Sequence, residues 1–167
     1  MYIADIQYVD KNVEKKIAKQ ENYFFFVKKL RKLHPKYGSG MQKEKYYIEY
    51  VFRNSSFTVL WNRISTPAGL ADWFADKVEV YGRQYVFTWG DITQQAELVL
   101  FSNGSFIRFR WEGEEYERTY FELKLSIDEL STGVALIITD FAEPAEKKDA
   151  ILLWDKQVEN LKRISGL

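Results

Sequence analysis

Cysteine is absent from the 167 residues, and histidine occurs once, as His34. Without cysteine there is no disulfide framework, no thiolate zinc site and no cysteine nucleophile, a pattern that fits a reducing compartment. A single imidazole excludes a Ser-His-Asp triad and any multi-histidine metal site. Net charge is missing too: 24 Lys+Arg balance 24 Asp+Glu, whereas a generic nucleic-acid binder carries a basic excess. No apolar run approaches the length needed to span a bilayer, and the five-residue run at 23–27 is too short for a secretory signal. Gly82, Gly90, Gly104, Gly113 and Gly133 stand singly in turn contexts, so no Gly-rich phosphate loop is present. These absences point to a soluble, cytoplasmic protein with no metal, no cofactor and no nucleic-acid partner. What is abundant is aromatic side chain, 12 Phe, 11 Tyr and 5 Trp, in a chain long enough for one domain with a substantial core.

The zero net charge is the sum of two unlike parts. Residues 1–40 hold 9 Lys+Arg and 4 Asp+Glu, a net of +5, so the other 127 residues hold 15 and 20, a net of −5. The change falls at Gly38-Ser39-Gly40, a flexible tripeptide that sets the expected boundary between a basic aromatic extension, 1–40, and a domain, 41–167. In the extension Val13, Ile17, Phe24, Val27 and Leu30 recur at roughly helical spacing, which predicts a helix over about 11–33 ended by His34-Pro35. Three readings of this arm stay open. Its basic aromatic helix could touch an anionic membrane surface or nucleic acid, or pack on the domain or a partner. In the third reading Met41 is the true start and the arm has little structural role.

From Met41 the periodicity predicts β-α-α-β-β-β-β-β-β-α. Residues 46–52 are β-branched and aromatic and read as a strand. Asn54-Ser55-Ser56 offers an N-cap to a helix with Phe57, Leu60, Trp61 and Ile64 on one face, and Ser65-Thr66-Pro67 opens a second helix with Leu70, Trp73 and Phe74 on its apolar face. Period-two segments follow: Val78 and Val80; Tyr85, Phe87 and Trp89; 97–101; Ile107, Phe109 and Trp111; Phe121, Leu123, Leu125 and Ile127; and 134–141. Asn103-Gly104 marks a hairpin. After Pro144 a helix of about twenty residues carries Ile151, Trp154, Val158 and Leu161 at three-four spacing. One amphipathic helix can cover one face of a meandering antiparallel sheet, so the fold class is α+β.

This order, with the segment Ile64-Ser65-Thr66-Pro67-Ala68-Gly69-Leu70-Ala71-Asp72-Trp73-Phe74, resembles the START-like helix-grip superfamily, also called SRPBCC. Within it the chain is most similar to the group that includes the C-terminal domains of activators of the heat-shock chaperone ATPase. The resemblance covers about residues 42–165. It implies a curved antiparallel sheet gripping the C-terminal helix, with a cavity between them that often takes a hydrophobic small molecule. On that pattern the cavity positions are Trp73, Phe74, Phe87, Trp89, Phe109, Trp111, Leu123, Leu125, Trp154, Val158 and Leu161. Each could equally be solid core, since aromatic residues on alternating strands are packing residues first.

Catalytic chemistry is scarce. Glu112, Glu114, Glu115 and Glu117 lack the spacing of a calcium loop and read as solvating residues of a hairpin. Arg108 and Arg110 lie on the face opposite Phe109 and read as cross-strand partners of residues such as Glu122. Asp140, on an apolar strand, would be a general-base candidate if buried, but reads better as a strand-end carboxylate in water. The expected function is non-enzymatic binding of a lipid, fatty acid or aromatic metabolite. The alternative is a protein-interaction or co-chaperone-like module with a filled core, and an enzyme acting on a hydrophobic substrate ranks third.

Overall fold

The computed structural model describes residues 43–113, 118–128 and 133–166. The predicted helix at 11–33, and Glu114, Glu115 and Glu117 of the acidic stretch, lie outside these. Seven strands and three helices follow one another as β1 (Glu44–Phe52), α1 (Phe57–Ser65), α2 (Pro67–Trp73), β2 (Lys77–Tyr81), β3 (Gln84–Trp89), β4 (Ile92–Ser102), β5 (Phe106–Trp111), β6 (Phe121–Asp128), β7 (Gly133–Ala142) and α3 (Lys147–Ile164). All strand pairs are antiparallel, in the order β1-β7-β6-β5-β4-β3-β2. The chain leaves β1 through the two short helices, enters the sheet at its far edge and meanders back until β7 pairs with β1 over nine residues, Glu44↔Ala142 to Phe52↔Val134.

One face of this sheet is the core. Residues of one parity on five of these strands point to it, Phe52 on β1, Phe87 on β3, Ile107 and Phe109 on β5, Leu123 on β6 and Leu136 and Ile138 on β7, each at most 2% exposed. The alternation needed to sort them is a property of the pleat and is visible in the sequence. β4 starts at Ile92, five residues before the expected strand, because the tight turn at Gly90-Asp91 pairs Ile92 directly with Trp89. A bulge between Leu98 and Leu100 then breaks the alternation. Arg83 holds that irregular stretch by donating from its guanidinium to the carbonyls of Leu98 and Val99, at 2.5 and 2.8 Å.

The two short helices meet at Thr66. Its backbone N–H closes α1 on the Asn62 carbonyl, and its hydroxyl accepts from Gly69 N at 3.0 Å to cap α2, with Pro67 in the first turn. Such a shared cap turns the chain sharply and brings the helices into backbone contact. A Cβ on Gly69 would lie 2.1 Å from the Asn62 carbonyl oxygen and 2.7 Å from Arg63 Cα. The indole N–H of Trp73 donates to the Arg63 carbonyl across the same junction, at 3.0 Å. α3, two residues shorter than the expected twenty, spans roughly 27 Å at 1.5 Å per residue and buries Ala150, Leu153, Trp154, Val158 and Leu161. Lys162 and Arg163 in its last turn face the negative end of the helix dipole.

Candidate functional site

The second short helix decides the arrangement between sheet and C-terminal helix. Phe74 is its C-cap residue, tied back by its own N–H to the Leu70 carbonyl, and it carries its ring into the middle of the core. Around that ring lie Trp73, Phe87, Trp89, Phe121 and Trp154 at centroid distances of 5.2 to 5.8 Å, with Trp111 at 6.5 Å. Trp154 of α3 stacks on Phe74 at 16°, while Phe87 meets it edge-on at 86°. Phe109 joins through Phe87 at 5.8 Å and Phe121 at 5.1 Å. These separations are those of rings in direct contact, each such pair adding about 0.5–1.5 kcal/mol beyond simple burial.

The eleven residues read as cavity positions are thus brought into one layer. Trp73, Phe74, Phe87, Trp89, Phe109, Leu123, Leu125, Trp154, Val158 and Leu161 are buried in a single cluster, and half-buried Trp111 packs against it. Phe121 and Tyr85 belong to the same layer and were not among the eleven. Their place in period-two strands was the available signal: Phe121 lies 4.8 Å from Trp111, and Tyr85 4.8 Å from Phe109. Half-buried Trp61 packs against the same cluster from α1, with its ring 5.9 Å from Phe101 and its indole N–H donating to Asn103 Oδ1 at 3.2 Å.

Three indole N–H groups of the layer donate to acceptors within the protein. Trp73 uses the Arg63 carbonyl, Trp89 the Phe74 carbonyl at 2.6 Å, and Trp154 the Asp140 carboxylate at 2.9 Å. This corrects the expectation that Asp140 lies at a strand end in water. Its position in β7 has the inward parity of Leu136 and Ile138, so it meets the helix instead. Besides Trp154 it accepts from the Tyr46 hydroxyl at 3.2 Å and from the Phe141 N–H at 2.8 Å. Next to Trp154 in α3, Asp155 accepts from the Tyr50 hydroxyl at 2.7 Å. β1, β7 and α3 are therefore joined by two carboxylate–phenol bonds at the edge of an otherwise apolar layer. Burial, reinforced by the Asp140 charge, raises the Tyr46 phenol far above its ordinary range. Burial and the bond to Asp155 do the same for Tyr50, so both stay protonated donors.

Beside Asp140 a cleft of about 10 Å³ is lined by Lys43, Trp111, Thr119, Tyr120, Asp140 and Phe141, room for about one water molecule. On the opposite face Arg108 pairs with Glu122 across β5 and β6, at 2.8 Å from Nε and 2.6 Å from Nη2, and lies 4.1 Å from the Tyr120 ring centre. That is the cross-strand pairing the alternation implied. Among the described residues no three acidic or histidine side chains form a metal-binding group, and no helix is long and apolar enough to cross a membrane.

A family model described as a START-like superfamily domain matches residues 40–167. The chain belongs to the START-like superfamily. Solved structures similar to the chain are found as well. BfR322 from Bacteroides fragilis is 47% identical over 74% of this chain and 92% of its own, with a TM-score of 0.56. The Aha1 dimer from Colwellia psychrerythraea is similar in fold alone, at 13% identity over 73% and 96% of the two chains and a TM-score of 0.59. DynU16, from the dynemicin biosynthetic locus, is likewise similar in fold, at 17% identity and a TM-score of 0.59 over 73% of this chain and 47% of its own. No curated protein matches the sequence.

Proposed function

We propose that this START-like domain binds a hydrophobic small molecule, a lipid, fatty acid or aromatic metabolite, between the sheet and α3, without catalysing a reaction on it. The observation that carries this reading is the aromatic layer itself, set in a superfamily whose members generally bind hydrophobic ligands. Apolar walls with few polar groups are what such ligands require. Here the polar groups gather at one edge, where Asp140 holds Tyr46 and Trp154. A ligand entering this layer must displace a ring, and Phe74 is the one at its centre. It sits at the end of a seven-residue helix, and a shift of its ring would vacate the space between Trp154, Phe121 and Phe87. The proposed site is therefore the set Trp73, Phe74, Phe87, Trp89, Phe109, Trp111, Leu123, Leu125, Trp154, Val158 and Leu161.

The mutual ring contacts favour a second reading, a protein-interaction or co-chaperone-like module whose layer is plain core. Native mass spectrometry of the full chain, before and after delipidation and then titrated with dodecanoate or 2-naphthol, separates the two. Binding predicts a 1:1 adduct that Trp154→Ala weakens more than Trp61→Ala, since Trp154 stacks on Phe74 whereas Trp61 packs on Phe101. No co-purified species and no adduct with either probe would leave the interaction module standing. Probe turnover detected by mass would overturn the non-enzymatic part.

A further inference from the structure

One polar side chain of β4 lies among the aromatic rings. Gln94 pairs with Phe87 across β3 and β4, and directly opposed residues share a face of the sheet, so Gln94 lies on the inner face beside a fully buried ring. That ring meets Phe74 at 5.2 Å and Trp111 at 5.6 Å. Gln94 is half-buried as a residue, but its Oε1 is shut off from solvent and accepts no hydrogen bond. A buried acceptor without a donor costs stability, and an apolar side chain of the same length would avoid that cost. The other side-chain atoms buried without a partner among the described residues are Ser55 Oγ, Arg110 Nε and Ser165 Oγ. Ser55 lies just before α1 and Ser165 just after α3, while Arg110 is on the outer face, opposite Glu97. Of these four, only Gln94 stands on the inner face of the sheet.

We infer that Gln94 is the residue that sets polar specificity in the site between sheet and α3, its Oε1 accepting from a hydroxyl group of the bound molecule. This deepens the hydrophobic-ligand reading above and rests on it. A ring that takes the place of Phe74 lies against Phe87, the cross-strand partner of Gln94, so a hydroxyl on the edge toward β4 meets the amide. The ligand class follows from that donor. An aromatic alcohol supplies it, whereas an ether of the same shape does not. An ionised carboxylate has no proton to donate, and Phe74, Phe87, Trp89 and Trp111 around the position offer it no positive charge. The inference therefore narrows the ligand from lipid, fatty acid or aromatic metabolite to a neutral, hydroxylated aromatic compound.

Titration calorimetry of the full chain with 2-naphthol, 2-methoxynaphthalene and 2-naphthoate compares the three cases on one ring system. 2-Naphthol should bind about tenfold more tightly than either analogue, the weight of one buried hydrogen bond. Gln94→Met keeps the length of the side chain and removes its acceptor. It should bring 2-naphthol down to the affinity of 2-methoxynaphthalene, leave the latter unchanged, and hold or raise Tm, because the orphaned oxygen is gone. Gln94→Leu serves the same purpose if Gln94→Met does not fold. Equal binding of all three probes, or a preference for 2-naphthol that survives both substitutions, would overturn the role of Gln94 while leaving hydrophobic binding intact. Binding of none of the three would overturn both readings together.

Discussion

Gly69→Ala isolates the device that places Phe74. Alanine in a helix interior is normally favoured over glycine by about 0.8–1 kcal/mol, so a position judged on propensity alone would gain stability. Here the added methyl would sit 2.1 Å from the Asn62 carbonyl oxygen, 2.7 Å from Arg63 Cα and 2.9 Å from the Arg63 oxygen. All three are backbone atoms of α1 and cannot rotate aside. The two helices must separate by more than an ångström, which strains the shared Thr66 cap and the Trp73-to-Arg63 bond. Overpacking of this kind costs typically 1–3 kcal/mol, and rigid backbone neighbours place it at the upper end, so after the propensity gain a net loss of about 2 kcal/mol is expected. For a domain of this size that is a fall in Tm of roughly 6–10 °C. Urea unfolding followed by tryptophan fluorescence measures it, with thermal scans as the check. A Gly69→Ala protein as stable as the parent would refute the reasoning, because the helices would then tolerate separation that the geometry forbids. The same variant should shift the near-ultraviolet circular dichroism of the aromatic layer, since Trp73 and Phe74 ride on α2.

Asp140→Ala leaves the Tyr46 hydroxyl and the Trp154 indole without their acceptor, a loss of about 2 kcal/mol or more at roughly 1–3 kcal/mol per unsatisfied buried donor. Asp155→Ala frees only the Tyr50 hydroxyl and should cost about half as much; equal losses in urea titrations would mean that Asp140 is not the shared anchor. The phenols of Tyr46, Tyr50 and Tyr85 are all raised in the folded protein, chiefly by burial. A raised phenol favours the folded state fully below the unfolded value near 10, and that contribution is lost as pH climbs above it. Stability should therefore fall steeply above pH 10, less steeply in Tyr46→Phe, and a spectroscopic titration should show these three phenols ionising only with unfolding. Ordinary, reversible titration of all tyrosines without unfolding would contradict this.

Much of the architecture was legible because the signals are local. Phe87 and Trp89, or Ile107, Phe109 and Trp111, alternate in the sequence as they do in the pleat, and Ser56 and Thr66 cap the helices that their position announces. From Met41 on, the sequence by itself therefore determined the type and order of the elements, the buried face of most strands and of the C-terminal helix, and the aromatic identity of the layer, though Ile127, read on the covered face of β6, is exposed. Tertiary structure alone decided what lies opposite what. β1 beside β7 and the meeting of Asp140 with Tyr46 join residues far apart in the chain, while the bulge at Leu98 and the crossing of α1 and α2 over Gly69 depend on how neighbouring elements pack. Asp140 shows why: its parity was readable, but whether an inward carboxylate meets water or an indole depends on the helix packed above it. Phe74 shows the same for the layer, since a ring at a helix end is placed by the angle of that helix, and a methyl-free glycine sets the angle.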